Sequence, residues 1–509
     1  MLVKTKHGMA EGIRDGKYLK FLGIPYAVAG RFEAPREYDW EGVLHAGTFG
    51  KRSIQSWKQE PGRSREEFSE DCLNLNIWLP AETAGADDGK SSEKKRGLPV
   101  AVYIHGGAFQ NGSNRDRSVE RVIGDHHFIY ISINYRLGVA GYLYLGKALG
   151  EKYTHTGNNG TMDQLAALKW IYENIEAFGG DPSRITVFGE SAGAKTQGAL
   201  LFRPEMKKWC SGVMMASGAW QCIRTEETAA TVADAFFEEM FRRNPRGRKE
   251  DILTMDVDRL LEIQERIVDN PGNTCMFGPV ADGVTVPYDW KERLERGEYW
   301  SGNAVVGSCL HEMTFLRNTP GFPATAPEIA EALFGENARI ALKEFADYEK
   351  ETEAQGRKPS ETEAADEWIR ILSDYMYRTY SHRLAGLLTR TGSRVWYYSF
   401  EYGRASHVQD QSMAFDGAAG EDALFENEPM EEREEMAELL RESYVRFLET
   451  GNPSWEGIPE WHPLCERPEM MVWNRKPRIR SFTEGEVLHR FPQEVYRRFR
   501  KNFQSEKTF

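Results

Sequence analysis

A serine flanked by two glycines stands in the segment 184–194, which reads RITVFGESAGA. A short apolar, strand-like run precedes it and a helix-compatible stretch follows, so Ser191 lies in a strand–turn–helix context with the pattern Gly-x-Ser-x-Gly. At such a tight turn the hydroxyl stands exposed above a sheet, and Gly189 and Gly193 avoid collisions with the neighbouring strand and helix. The pattern predicts that Ser191 is a nucleophile in acyl transfer.

A second loop offers backbone N–H groups for the negative charge that develops in acyl transfer. His105-Gly106-Gly107-Ala108-Phe109 follows the apolar run 100–104, as expected of a loop that binds a tetrahedral oxyanion. Alanine stands where the last glycine of such a loop usually occurs. Its methyl group leaves the N–H in place but narrows the space for the acyl group. An ordinary glycine turn after a strand is the alternative interpretation.

Together with further segments, these motifs resemble the type-B carboxylesterase/cholinesterase family of α/β-hydrolases, in particular its bacterial, para-nitrobenzyl-esterase-like members. The segments are FLGIPYA at 21–27, EDCLNLNIW at 70–78, HGGAFQNGS at 105–113, NYRLG at 134–138, the stretch 157–194 and GNP at 451–453. The resemblance implies an α/β-hydrolase fold, with a central, mostly parallel mixed sheet flanked by helices. It also implies hydrolysis of small or aryl and alkyl carboxylic esters through an acyl-enzyme, with no metal or organic cofactor.

Carried over residue by residue, the resemblance places the oxyanion hole at the N–H groups of Gly107, Ala108 and Ala192. Glu190, immediately before the nucleophile, resembles a buried glutamate of the family's active-site hydrogen-bond network. Ser217, in MMASGAW, resembles a serine that supports the catalytic acid. Packed polar residues without such roles are the alternative interpretation of the last two.

The general base must be chosen among eleven histidines. In α/β-hydrolases the chain order is nucleophile, acid, histidine, which favours histidines late in the sequence. His407 follows a strand-like run in ASHVQDQSMAF, which resembles the family's histidine motif with Asp410 at the usual glutamate position and Phe415 at the aromatic one. His407 is therefore predicted to be the base, and His382 and His462 remain alternatives.

The resemblance places the acid at Glu312, in GSCLHEMTF after the strand-like run NAVVGS. Family members usually carry glycine after the acid, whereas Met313 follows it here. The adjacent His311 would point the opposite way in an extended segment and is a poor rival for the base. Asp282, in PVADGV, is the alternative acid, although it better fits a structural turn.

The chain needs a layered scaffold to bring these distant residues together. Strands are predicted at the alternating run 73–79 and at the apolar runs 100–104, 128–133, 185–188, 304–306 and 395–400. One helix is predicted to begin at Thr161, which has capping-box spacing to Gln164, and another ends near Gly451. Alternating strands and helices indicate one α/β domain over 1–509, with helix-rich cap segments at about 225–300 and 320–390. The polar stretch 81–97 is interpreted as a solvated loop between two strands of one sheet.

Composition restricts the partners. The net charge of −13 and the absence of a Lys/Arg block disfavour nucleic acid, and no apolar run has the length of a membrane span. The six cysteines show no metal-ligand spacing. Secreted relatives bridge the position of Cys72 to an upstream cysteine, but none precedes it here and Ser53 lies near the expected partner position. We therefore expect reduced thiols, a cytoplasmic location and a small-molecule ester as substrate. A non-catalytic binding protein, or an amidase or lipase on the same fold, is the alternative.

Overall fold

The computed structural model describes residues 1–56, 62, 64–82, 97–268, 276–417 and 428–482. Its strands are β1 Leu2–Lys4, β2 Met9–Asp15, β3 Tyr18–Pro25, β4 Val43–Ala46, β5 Arg52–Ser53, β6 Phe68–Ser69, β7 Asn74–Pro80, β8 Leu98–Ile104, β9 Ile129–Ile133, β10 Gly180–Glu190, β11 Gly212–Ala216, β12 Asn303–Cys309, β13 Arg394–Phe400, β14 Glu469–Trp473 and β15 Arg478–Ser481. All except β5 and β6 belong to one sheet.

The α-helices flank this sheet. They are α1 Val119–Ile123, α2 Gly138–Tyr142, α3 Gly146–Leu149, α4 Asn159–Asn174, α5 Ala192–Leu200, α6 Met206–Trp209, α7 Glu226–Arg243, α8 Val257–Val268, α9 Trp290–Glu295, α10 Ala326–Phe334, α11 Ala338–Ala354, α12 Glu361–Ser373, α13 Thr379–Arg390, α14 Gln409–Asp416 and α15 Met430–Thr450. A π-helical turn, Asp374–Arg378, joins α12 to α13.

The sheet is parallel in its middle and antiparallel at its ends. Its order is β1-β2-β3-β7-β9-β8-β10-β11-β12-β13-β14-β15, with β4 paired to β2. From β9 to β14 each neighbouring pair is parallel, so the carboxyl ends of these strands lie along one edge. Each strand predicted from the sequence is present, and the mostly parallel mixed sheet of an α/β-hydrolase is confirmed.

Both faces of the central strands are buried. In β8, Val102 belongs to the hydrophobic cluster that includes Ile171 of α4, and its neighbour Tyr103 belongs to the cluster that includes Tyr444 of α15. A parallel strand covered by helices on both faces is apolar along its whole length, which explains the unbroken apolar runs in the sequence. The helices bury both faces of the central strands, so polar groups lie mainly in the loops that follow the strands.

The start of α4 differs from the sequence-based expectation. The helix begins at Asn159, two residues before Thr161, so Thr161 lies inside the first turn and does not cap it. Asp163 is buried and accepts hydrogen bonds from the backbone N–H and the guanidinium of Arg136. The predicted capping box is wrong, since Gln164 instead accepts a hydrogen bond from the Thr196 hydroxyl at 2.7 Å. The loop predicted at 81–97 lies mostly outside the described residues, and its flanks β7 and β8 do belong to one sheet.

A histidine clamp joins the start of β9 to α15. The Nδ1 atom of His126 lies 2.9 Å from Glu449 and its Nε2 atom lies 3.2 Å from Glu442. The hydrogen bond with Glu449 raises the pKa of His126, and burial opposes that shift. A histidine whose pKa is raised by folding contributes stability below its unfolded pKa of about 6.5, and the contribution is lost as the pH rises through the folded pKa.

We therefore predict that His126→Gln lowers the free energy of unfolding by about 1–2 kcal/mol at about pH 6, and by much less at about pH 9. Urea unfolding at the two pH values measures this difference. His127→Gln is the matched control, because the His127 side chain is 63% exposed and, within the part of the chain that the structure describes, pairs with the exposed Glu82 alone. An equal loss at both pH values would contradict the assignment of the clamp to protonated His126.

Candidate active site

Ser191 occupies the sharp turn between β10 and α5. Its backbone angles are φ 52° and ψ −118°, and the residue is 8% exposed. Its N–H donates to the carbonyl of Ala216 at 2.9 Å, which ties the turn to the end of β11. A Cβ atom added to Gly189 or Gly193 would lie 2.4 Å or 2.0 Å from the carbonyl oxygen of Ile104, so both flanking glycines are required by close approach to β8.

Three side chains form a continuous hydrogen-bonded chain at this turn. The Nε2 atom of His407 lies 2.9 Å from Ser191 Oγ, and its Nδ1 atom lies 2.5 Å from Glu312 Oε2. Glu312 is fully buried, and its Oε1 atom accepts a hydrogen bond of 2.7 Å from the backbone N–H of Cys309. In this geometry the imidazole can accept the serine proton while the carboxylate holds the ring orientation.

Parallel strands bring the three residues together although 216 residues separate Ser191 from His407. Ser191 follows β10, Glu312 follows β12 and His407 follows β13. The carboxyl ends of neighbouring parallel strands meet at one edge of a sheet, and in α/β proteins the ligand-binding site lies at this edge.

Met313 follows the predicted acid, at the position where family members usually carry glycine, and its backbone is unstrained. Its φ is −95°, a value open to any residue, so the turn needs no glycine. The Met313 N–H donates to the hydroxyl of Ser373 at 3.0 Å, which connects the Glu312 loop to the end of α12.

The loop predicted to bind the oxyanion adopts an unusual backbone. Gly107, Ala108 and Phe109 have consecutive φ values of 97°, 53° and 62°. A Cβ atom added to Gly106 would lie 3.4 Å from Ser191 Cβ, so the loop lies directly against the nucleophile's turn. Among the described residues, no hydrogen-bond acceptor is paired with the N–H groups of Gly107, Ala108 or Ala192. These three donors remain available to a substrate oxygen.

Left-handed backbone is concentrated around this site. Among the described residues, the non-glycine residues with positive φ are Phe32, Ala108, Phe109, Ser191, Ser217, Ala405 and Val408. All except Phe32 lie in the oxyanion loop, at the nucleophile's turn, at the end of β11 or beside His407. A β-branched residue such as Val408 is especially unfavourable at positive φ, so the surrounding structure must impose these angles.

Glu190 and Ser217 differ in their surroundings. Glu190 is buried, and its Oε1 atom accepts hydrogen bonds from the Tyr103 hydroxyl at 2.9 Å and the Gly106 N–H at 3.1 Å. Ser217 is fully buried, but its hydroxyl has no hydrogen-bond partner among the described residues. The second oxygen of Glu312 is bonded to the Cys309 N–H, so the predicted support of the acid by Ser217 remains a prediction.

The alternative bases and the alternative acid lie in other settings. His382 is stacked on Phe482 with ring centroids 4.2 Å apart, and His462 pairs with Glu460 and Glu469. Asp282 accepts hydrogen bonds from the backbone N–H groups of the three residues at 284–286, which is a structural turn. None of the three belongs to the hydrogen-bonded chain at Ser191.

Several groups beside the site were not predicted from the sequence. The Tyr377 ring, in the π-helical turn, packs against His407 at 4.8 Å, and the Lys195 ammonium lies 4.4 Å from the same ring. Lys195 is buried one turn after the nucleophile. A lysine among the small and apolar residues at the start of this helix could have indicated a residue near the site. Arg117 forms an ion pair of 3.1 Å with Glu190, and nothing in its local sequence indicated that contact.

Asp410, near His407, lies in a separate buried network. It accepts hydrogen bonds from the hydroxyls of Tyr398 at 2.5 Å and Tyr444 at 3.1 Å. Burial raises the pKa of its carboxyl group. Among the described residues, no group of three acidic, histidine or cysteine side chains is arranged to hold a metal ion. No described helix combines the length and the apolar character needed to cross a bilayer.

Comparisons with known proteins agree with this architecture. The sequence model of the carboxylesterase family matches residues 1–490. The para-nitrobenzyl esterase of Bacillus subtilis (strain 168) is 29% identical, covering 95% of this chain and 97% of that protein. The liver carboxylesterase of Sus scrofa is 27% identical over 90% and 87% of the two chains. Among solved structures, the Geobacillus stearothermophilus carboxylesterase EST55 is similar with a TM-score of 0.78 and 30% identity, covering 94% of this chain and 97% of that one.

Proposed function

The chain belongs to the carboxylesterase family and hydrolyses carboxylic esters as a serine hydrolase, and from that premise we propose that Ser191, His407 and Glu312 are its catalytic nucleophile, base and acid. The observation that carries the proposal is the hydrogen-bonded chain from Ser191 Oγ through the imidazole to Glu312, with distances of 2.9 and 2.5 Å. The intact hydrogen bonds among the three residues, together with relatives that are named as esterases, argue against the alternative of a non-catalytic binding protein.

The proposed reaction proceeds through an acyl-enzyme. Ser191 Oγ attacks the ester carbonyl carbon while Nε2 of His407 takes the hydroxyl proton. The oxyanion of the tetrahedral intermediate accepts hydrogen bonds from the N–H groups of Gly107, Ala108 and Ala192. Its collapse breaks the ester C–O bond, and the alcohol leaves with the proton from Nε2. Water then attacks the acyl-enzyme with the same base, which releases the acid and restores Ser191.

The substrates that we propose are small or aryl and alkyl esters. Ala108 adds a methyl group to the oxyanion loop, where glycine would leave open space. A bulky acyl group therefore has less room beside the reacting carbonyl. The reduced space favours short acyl chains over the long chains of lipids.

A series of para-nitrophenyl esters graded by acyl length tests this proposal. We expect an initial burst of about one equivalent of nitrophenol per chain, followed by steady turnover. We expect kcat/KM to be highest for short acyl chains and lower by about tenfold or more for long chains, a change that corresponds to about 1.4 kcal/mol in transition-state binding.

Ala108→Gly is the matched variant for this series, because it removes only the methyl group. It should raise the relative kcat/KM for bulky acyl groups while leaving the burst unchanged. Preference of the wild type for the longest chains would indicate a lipase, and faster cleavage of an anilide than of the equivalent ester would indicate an amidase. Either result would refute the proposed substrate class.

We also propose a domain organisation and a cellular location for the protein. Residues 1–509 form a single catalytic domain, with the helix-rich segments at about 225–300 and 320–390 as its cap. One sheet that contains every described strand except β5 and β6 supports a single domain. We propose that the protein acts in the cytoplasm, because the buried Cys72 is a free thiol and Ser53 stands near the expected position of its partner. Burial raises the pKa of the Cys72 thiol to about 12, so it stays protonated.

A further inference from the structure

Arg117 is a buried arginine on the loop that leaves the oxyanion segment. Its side chain is only 6% exposed, and its guanidinium lies 5.6 Å from the centroid of the Tyr103 ring. One terminal nitrogen forms an ion pair with Glu190 at 3.1 Å, and the other donates to Asp416. A single planar cation therefore holds two carboxylates at once.

The two carboxylates belong to two other segments of the active site. Glu190 is the residue immediately before Ser191, and Asp416 is the last residue of α14, the helix that begins two residues after His407. Arg117 itself follows the oxyanion loop, twelve positions after His105. The guanidinium thus joins the segments that carry the oxyanion donors, the nucleophile and the base.

A direct path of hydrogen bonds leads from Arg117 to the oxyanion loop. Glu190 Oε2 faces the guanidinium, while Glu190 Oε1 accepts the Gly106 N–H at 3.1 Å. The Gly106 peptide directly precedes Gly107, the first predicted oxyanion donor. If Glu190 shifted, the loop would lose the contact that sets its distance from Ser191.

The chemistry of arginine suits this role. A guanidinium presents several N–H donors in a rigid plane and can bind two carboxylates in fixed directions, whereas an ammonium is a point charge on a flexible stem. Burial raises the pKa of Asp416, and Arg117 counters that shift. The carboxylates of Glu190 and Asp416 are therefore held together only while the guanidinium of Arg117 lies between them.

We infer that Arg117 is a positioning residue, whose guanidinium fixes the oxyanion loop, the nucleophile's turn and the His407 segment relative to one another. The inference rests on the proposed roles of Ser191, His407 and the oxyanion donors. Arg117 contacts Glu190, Asp416 and Tyr103 rather than Ser191 or His407, so its removal should misalign the transition state while leaving substrate binding largely unchanged.

The test compares Arg117→Gln with the matched control Arg115→Gln. Arg115 lies two residues earlier on the same loop, but its guanidinium lies over the Phe49 ring at 4.8 Å and donates to the carbonyl of Gly50, away from the catalytic segments. We expect Arg117→Gln to lower kcat for a short nitrophenyl ester by about 10–100-fold with little change in KM. We expect Arg115→Gln to stay within about twofold of the wild type.

Labelling with an organophosphorus probe separates positioning from a loss of folded protein. If Arg117 positions the site, every folded chain of Arg117→Gln should still be labelled once, but at a reduced rate. Incomplete labelling, in which the remaining chains react at the wild-type rate, would show only a structural role and overturn the inference. So would a kcat for Arg117→Gln equal to that of Arg115→Gln.

If Arg117→Gln does not accumulate as folded protein, the same measurements are made on Arg117→Lys. Lysine keeps the charge between the two carboxylates but cannot hold both in fixed directions. A reduced kcat and labelling rate relative to Arg115→Lys support the inference, and equal values overturn it. Failure of the wild type to be labelled would instead refute the proposed function, so the two failures are distinguishable.

Discussion

Ser191→Ala loses essentially all ester hydrolysis while the protein remains folded. Without Oγ there is no nucleophile for His407 to activate, and kcat is expected to fall by about 10⁶-fold, as for loss of a nucleophile in other hydrogen-bonded triads. The backbone turn persists, because alanine replaces serine without adding atoms at a position whose φ of 52° is imposed by the neighbouring contacts. Hydrolysis of a nitrophenyl ester and intact-mass measurement after organophosphorus treatment check the result.

Ser217→Ala is the control for this substitution. Ser217 is also buried, also follows a strand and also has a positive φ, of 53°. The wild type and Ser217→Ala should each gain one label per chain, and Ser191→Ala should gain none. Labelling of Ser191→Ala at an unchanged rate would show that another residue is the nucleophile.

His407→Ala has the second largest expected effect. Removal of the imidazole leaves Ser191 without a base 2.9 Å from its Oγ, and kcat should fall by about 10⁵–10⁶-fold. Glu312→Gln should lose less, about 10⁴-fold, because the base remains but is poorly oriented and its positive charge is no longer compensated. Turnover of a single nitrophenyl ester under one set of conditions measures both variants.

Two other histidines provide the controls for the base. His382→Ala and His462→Ala remove rings that stack on Phe482 or pair with surface glutamates, and both variants should retain turnover near that of the wild type once the folded fraction is matched. An inactive His382→Ala beside an active His407→Ala would mean that the base is misassigned, and the pairing with Glu312 would then fail with it.

Local patterns predicted the parts of the site that are fixed by local geometry. The turn around Ser191 needs glycine at both flanks because β8 approaches within contact distance, so its sequence is recognisable in isolation. The same holds for the glycine-rich oxyanion loop. Glu312 was placed by the resemblance to the family, and His407 by that resemblance together with the order of the motifs along the chain, since each simply follows a parallel strand.

Contacts between distant segments were not predictable in this way. Arg117 and Asp416 are 299 residues apart, and neither neighbourhood has a spacing that indicates an ion pair. The cap predicted at Thr161 failed for a related reason, because the helix begins two residues earlier and the Gln164 side chain bonds to Thr196 on another helix. Periodicity reports which face of an element is buried, but not which polar groups meet across the fold.

The concentration of left-handed backbone around Ser191 has a consequence for laboratory evolution. Each non-glycine residue at positive φ costs on the order of 1 kcal/mol or more, and a protein is typically stable by only about 5–15 kcal/mol. Exchange for glycine at positions with small side chains, such as Ala108, Ser217 or Ala405, would relieve part of that strain. A selection for thermal tolerance alone would therefore favour loosened variants of the catalytic loops. Stability and turnover should thus be selected together, because substitutions at the same few residues are expected to raise stability and lower turnover.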